Sequence, residues 1–184
     1  MNSDLRSMIR DDVFRNTGGK RHKPALFSNN SNLRFIKALR CYQFYKGNKV
    51  LSAYYRLRLR QISRKSFIQI SRKADIGKGL YIGHAGRIII NSGAKIGDNV
   101  NIAAGITIGQ TNRGVRKGCP TIGNNVWIGT NAVIVGKIHI GDDVLIAPNA
   151  YVNTDVPSHS IVIGNPAQII PRDNATEGYI NNCV

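Results

Sequence analysis

Aliphatic residues recur along the chain on a six-residue clock. Ile70, Ile76, Ile82 and Ile88 keep it; the phase then slips by two, with the extra residues read at Asn91–Lys95, and Ile96, Ile102 and Ile108 resume it. After a longer break, Ile122, Ile128, Ile134, Ile140, Ile146 and Val152 continue without error. The following residue is mostly small, as at Gly77, Gly83, Gly97, Ala103, Gly129 and Ala147. A six-residue unit is one short strand plus one tight turn, and three units close a triangular coil of about 18 residues whose aliphatic positions point inward and stack. The small residue fits a corner with no room for a larger side chain. An antiparallel sheet alternates with period two and would not hold such a clock. The pattern predicts a mainly β protein, a left-handed parallel β-helix over residues 67–171. The longer break, an excursion loop at 110–121 reading QTNRGVRKGCPT, is extruded from a rigid prism, a usual place for function.

Residues 1–66 lack the clock and read as helices. Ser3 caps a helix through about Asn16, with Leu5, Met8, Ile9 and Val13 on one face and Gly18-Gly19 as the stop. After a loop at Lys20–Ser31, Ser31 or Asn32 caps a second helix ending near Gly47. Its apolar stripe is Phe35, Ile36, Leu39 and Tyr42, and its basic stripe is Arg34, Lys37 and Arg40. A third helix, about Val50–Ser63, carries Tyr54, Tyr55, Arg56, Arg58 and Arg60. Residues 172–184 form a C-terminal tail.

Charge sharpens this division. Residues 1–73 carry 18 Lys/Arg against Asp4, Asp11 and Asp12, whereas residues 74–184 carry 8 against seven acids, so +15 of the formal +16 belongs to the N-terminal segment. A basic amphipathic segment of this kind suits peripheral association of residues 1–66 with an anionic membrane, or equally helices that pack on the prism and solvate their outer side. Nucleic-acid binding is not expected, since no signature beyond charge is present. No apolar run reaches membrane-spanning length and the N-terminus has no signal-peptide core, which predicts a cytoplasmic protein. Cys41, Cys119 and Cys183 share no metal-ligand spacing and read as free thiols, and no metal is expected.

Of four histidines, His22 lies in the basic loop, His139 in a regular repeat and His159 in a late loop. His84 follows the small residue of a corner, close to the phase slip. A neutral imidazole there can take a proton from a hydroxyl attacking a thioester; the competing reading is a surface histidine. Trp127, beside a core isoleucine, reads as an outer-face packing residue.

The stretch Asp75–Ile90 (DIGKGLYIGHAGRIII), the run Ala94–Val100, Thr107-Ile108-Gly109, Pro120–Gly123 and Val162–Ala167 together resemble the serine acetyltransferase family of hexapeptide-repeat acyltransferases. The resemblance covers about residues 65–171. With Met8–Asp12 followed by Gly18-Gly19, it is closer to the branch of bacterial capsule and exopolysaccharide clusters. It implies a homotrimer with each site between adjacent prisms. Acetyl-CoA, as co-substrate, would bond to the backbone at Gly109, Gln110, Thr130, Ala147 and Pro148. His84 falls on the family's general base. The positions where that family carries acceptor-site charges hold Gln69, Gly83, Gly118 and Cys119 here; Asp75 or a backbone carbonyl is a substitute partner for the imidazole. These departures make free serine an unexpected acceptor. They point to O-acetylation of a sugar hydroxyl in a capsular or other surface polysaccharide or its precursor. The alternatives are a serine O-acetyltransferase of cysteine biosynthesis and a non-catalytic basic binding protein.

Overall fold

The computed structural model describes residues 3–19 and 30–184, so the Lys20–Ser31 loop, His22 included, lies almost wholly outside the described residues. Three helices precede the repeats: α1 (Ser3–Thr17), α2 (Ser31–Phe44) and α3 (Lys49–Ser66). Asn30, rather than the Ser31 or Asn32 read from sequence, caps α2, and Asn48 caps α3, their side chains accepting from the second and third amides beyond them. Phe67, in the left-handed region at φ 58°, ends α3 and turns the chain into the first coil.

The remainder is a parallel β-helix. The first coil holds β1 (Ile68–Ile70), β2 (Asp75–Ile76) and β3 (Tyr81–Ile82). The second holds β4 (Ile88–Ile90), β5 (Lys95–Ile96) and β6 (Asn101–Ile102), and the third β7 (Thr107–Gly109), β8 (Thr121–Ile122) and β9 (Val126–Ile128). The fourth holds β10 (Val133–Val135), β11 (His139–Ile140) and β12 (Val144–Ile146); β13 (Tyr151–Val152) and β14 (Ser160–Ile163) begin and end the fifth. Equivalent strands stack into three sheets, β1-β4-β7-β10-β13, β2-β5-β8-β11 and β3-β6-β9-β12-β14. An antiparallel β15 (Gln168–Pro171) then covers the end of the third sheet. All thirteen clock residues are buried and form one continuous core.

The registers move the phase slip. Ile68 pairs with Ile88 and Ile70 with Ile90, so Ile90, not Ile88, stacks on Ile70. The two additional residues therefore lie between Ile82 and Ile90, in the turn that carries His84, and not at Asn91–Lys95. The run Ile88-Ile89-Ile90 offers an inward residue in either phase, with Ile88 and Ile90 both buried, and this hid the true position. From β4 to β7 the coil has already returned to its regular length.

The small-residue rule has a visible cause. A Cβ on Gly97 would stand 2.7 Å from the carbonyl carbon of Gly123 in the next coil, and one on Gly141 would stand 2.4 Å from the Ser158 amide. Corners of adjacent coils touch backbone to backbone.

The helices close the N-terminal end of the solenoid. Phe35, Ile36, Leu39, Leu59 and Ile62 join the same core as the coils. Arg40, read as part of an exposed basic stripe, is instead buried: its guanidinium grips Asp12 of α1 and donates to the carbonyl of Ile76 at 2.6 Å and to that of Gly77. Asp12 accepts in addition from the Leu80 amide at 3.0 Å. Met8, expected on the packed face of α1, is about one-third exposed at 37%, while Leu5 and Ile9 are buried. The tail folds back along the prism. Asp143 accepts from the amides of Ala175 and Thr176 and from the Thr176 hydroxyl, Tyr179 packs edge-on against Trp127 at 5.0 Å, and Arg15 donates to the Asn181 carbonyl.

Candidate active site

The inserted corner Gly83–Arg87 bulges between β3 and β4 and places His84 on the surface. It is tied to the end of α3, with the Gly86 amide donating to the Ser66 carbonyl at 3.0 Å and the Ile88 amide to the Phe67 carbonyl at 3.3 Å. Among the described residues, none hydrogen-bonds the His84 imidazole. Gln69 and Asp75, the sequence candidates for orienting it, are both exposed and do not reach it. Gln69 projects outward from β1 in register with Ile89. Gly83 leaves room for the ring of Tyr81, which a Cβ there would meet at 3.2 Å.

The other histidines have different surroundings. His139 is an exposed residue of β11, and its amide donates to Asp155 at 2.7 Å. His159 lies 2.9 Å from the Asp143 carboxylate, on the side away from the inserted corner. Burial alone would push Asp143 up; the Thr176 hydroxyl and amide, the His159 ring and the Ala175 amide outweigh it and hold the carboxyl below its ordinary range.

The excursion loop is an ordered flap. Thr111 and Gly118 exchange amide–carbonyl hydrogen bonds of 3.0 and 2.9 Å across its neck. Arg116 pins it to the Asn153 carbonyl and the Thr154 hydroxyl. Cys119 lies at its return, its thiol 3.3 Å from the Asn91 amide oxygen and 3.9 Å from that of Gln110.

The residues expected along acetyl-CoA divide between two corners. Thr130, Ala147 and Pro148 stack in the column that begins at the His84 corner; the Asn131 amide donates to the Ala104 carbonyl and the Asn149 amide to that of Thr130. Gly109 and Gln110, with Cys119 beside them, stand at the opposite edge of the β1-β4-β7-β10-β13 sheet. Three strand residues separate the edges, roughly 10 Å at the rise of a β-strand. One chain therefore does not gather these groups around His84.

A parallel solenoid with small corners, an exposed histidine on an inserted corner and a flap at the facing edge defines the repeat-built transferase class. The family model described as bacterial transferase hexapeptide (six repeats) matches residues 119–154. The chain is 39% identical over 140 residues to the serine acetyltransferase of Helicobacter pylori strain 26695, covering 75% of this chain and 82% of that one. It is 34% identical over 174 residues to serine acetyltransferase 4 of Arabidopsis thaliana, covering 90% of this chain but 47% of that longer one. Among solved structures, serine acetyltransferase from Brucella abortus strain S19 in complex with coenzyme A is similar at a TM-score of 0.73 and 29% identity, over 92% of this chain and 67% of that one. Soybean serine acetyltransferase complexed with serine is similar at 0.76 and 27%, over 92% and 70%. The chain belongs to the serine acetyltransferase family.

These likenesses overturn the assignment to a polysaccharide branch. The relatives, bacterial and plant alike, are named serine acetyltransferases, and a capsular or surface glycan as acceptor has no support among them. The assignment rested on the opening Met8–Asp12 with Gly18-Gly19 and on side chains at four positions, whereas an acceptor's charges can be met by groups elsewhere around the site.

Proposed function

We propose that the protein is a serine O-acetyltransferase using acetyl-CoA. The observation that carries this reading is the unpartnered, exposed imidazole of His84 on the inserted corner of a chain in this family. A neutral ring with a free nitrogen accepts the proton of the serine hydroxyl as the oxygen attacks the thioester carbonyl. A C–O bond forms, the C–S bond breaks, and the proton on His84 passes to the departing sulfur, leaving O-acetylserine and CoA. The developing oxyanion calls for a fixed hydrogen-bond donor, which costs no reorganisation during the reaction.

The division between corners supports a site completed by a neighbour. In a homotrimer, the Gly109–Gln110 corner and flap of one prism face the His84–Thr130–Pro148 corner of the next, with acetyl-CoA in the cleft between them. Gln69, Gly83 and Cys119 then line the acceptor end. No helix among the described residues is long and apolar enough to cross a membrane.

The test is thiol release from acetyl-CoA with serine, wild type beside His84→Ala. Loss of about 10²–10⁴-fold in turnover with CoA binding intact supports the reading, that being the contribution of a positioned general base. Equal rates in the two proteins would remove His84 from the mechanism, and no serine turnover by the wild type would remove the reaction.

A further inference from the structure

Between α3 and the first coil runs an open groove of about 1020 Å³, lined by Gln69 and by apolar residues that include Phe35, Leu59 and Ile70. Four guanidinium groups line it: Arg56, Arg60 and Arg64 on α3, and Arg72 on the turn after β1. No carboxylate lines it, and among the described residues none of the four forms an ion pair. Arg72 is held by its stacking over the Tyr42 ring, 4.8 Å from the centroid.

The spacing on α3 is costly unless it serves something. Arg56, Arg60 and Arg64 follow one another at i, i+4, so each adjacent pair repels along one helix face. The helix contains no Asp or Glu to offset this. A local rule broken with no internal compensation marks a place where the missing partner is supplied from outside. Guanidinium forks suit the planar, multidentate recognition of carboxylate and phosphate oxygens.

The groove also has the right address. Phe67, which lines it and is 64% exposed, passes its carbonyl to the Ile88 amide, and Ser66 passes its own to the Gly86 amide. The groove wall is thus one strand spacing, about 4.8 Å, from the corner that carries His84. The corners assigned to acetyl-CoA belong to the third and later coils, so the groove lies at the acceptor's end of the site.

We propose that this groove is an oxyanion-binding subsite that holds the anionic group of the acceptor, with Arg60 and Arg64 as its principal contacts. Resting on the serine reading above, the group bound there is the serine carboxylate; phosphate oxygens share its chemistry and can occupy the same forks. The subsite is a determinant of acceptor affinity and takes no part in proton transfer.

Two measurements on the full chain test it, using wild type and the double variant Arg60→Gln/Arg64→Gln, whose altered side chains are solvent-exposed and whose fold is checked by thermal melting. In calorimetry with inorganic pyrophosphate, the wild type binds and the variant's affinity falls at least about tenfold, the loss expected of charge-assisted contacts. In kinetics, the KM for serine rises about tenfold while kcat and the KM for acetyl-CoA stay within about twofold, the pattern of lost uniform binding. Pyrophosphate competes with serine in the wild type. A wild type that does not bind pyrophosphate, a variant that binds it equally, or inhibition not competitive with serine overturns the subsite. Sedimentation with phosphatidylserine vesicles in the absence of pyrophosphate binding overturns it in favour of a lipid-facing surface. A wild type that turns over no serine yet binds pyrophosphate through these arginines sinks the serine reading and supports the groove.

Discussion

Asp12 of α1 and Arg40 of α2 meet at 2.8 Å with both side chains 1% exposed, and the backbone of the first coil adds the Ile76 and Gly77 carbonyls to Arg40 and the Leu80 amide to Asp12. The pair is the bolt between helices and solenoid. Burial pushes the Asp12 carboxyl up, against the pull of Arg40 and of the backbone amides that hold it. Arg40→Ala leaves a buried carboxylate uncompensated and two carbonyls without a donor. It should cost about 3–5 kcal/mol, read as a fall in the denaturant midpoint.

Release of the tail should be separable from unfolding of the prism. Asp143→Asn removes the charge that gathers Ala175, Thr176 and His159, and should cost about 1–3 kcal/mol of tail docking. Trp127, the chain's single tryptophan, reports it through the loss of its contact with Tyr179, and limited proteolysis should cut within 172–184. Because Asp143 is held below its ordinary 3.8, the stability it adds is fully present above that pH and is lost as pH falls through the lowered value. Acid should therefore free the tail of the wild type, and the variant should show no such step.

Tyr55 offers the opposite sign. Burial, with Cys41 beside it, pushes its phenol from 10 up to about 12. The stability it contributes is present below pH 10 and is lost as pH rises through about 12. Ultraviolet titration should show one phenol ionising late, and Cys41→Ala should bring it earlier.

Gly97→Ala should destabilise the coils by about 1–3 kcal/mol, the range for overpacking, since the new Cβ runs into the Gly123 carbonyl of the next coil. Gly47→Ala is the control. Its Cβ meets nothing within 4 Å, and the substitution should be neutral or stabilise by about 0.4–1 kcal/mol through the unfolded chain. Thermal melts of the two decide whether corner contact or loss of glycine alone matters.

The coils were legible because one inward residue per strand has to repeat, and the stacking of Ile70 on Ile90 or Ile108 on Ile134 leaves that requirement in the sequence. Where two phases are equally apolar, as at Ile88–Ile90, the pattern loses its address and points to Asn91–Lys95, several residues beyond the true insertion. Arg40 was misread because helix periodicity records which residues share a face but not what that face meets; Asp12 lies 28 positions away. His84 could be singled out by its corner. The groove of Arg56, Arg60 and Arg64 showed only as undirected positive charge, because Gln69 and Arg72 join it through folding. The acceptor was misassigned because absent side chains at Gln69, Gly83, Gly118 and Cys119 say which contacts are not made there, and not which are made elsewhere.

The insertion in the first coil is confined to the corner Gly83–Arg87. Its two residues are absorbed within a single turn, and the next coil resumes its normal length. In a stacked solenoid each rung answers only to its neighbours. The length and composition of this one corner can therefore drift while the rungs above it keep their registration. The chain can retune its chemistry at the edge of the prism without renegotiating the architecture that carries it.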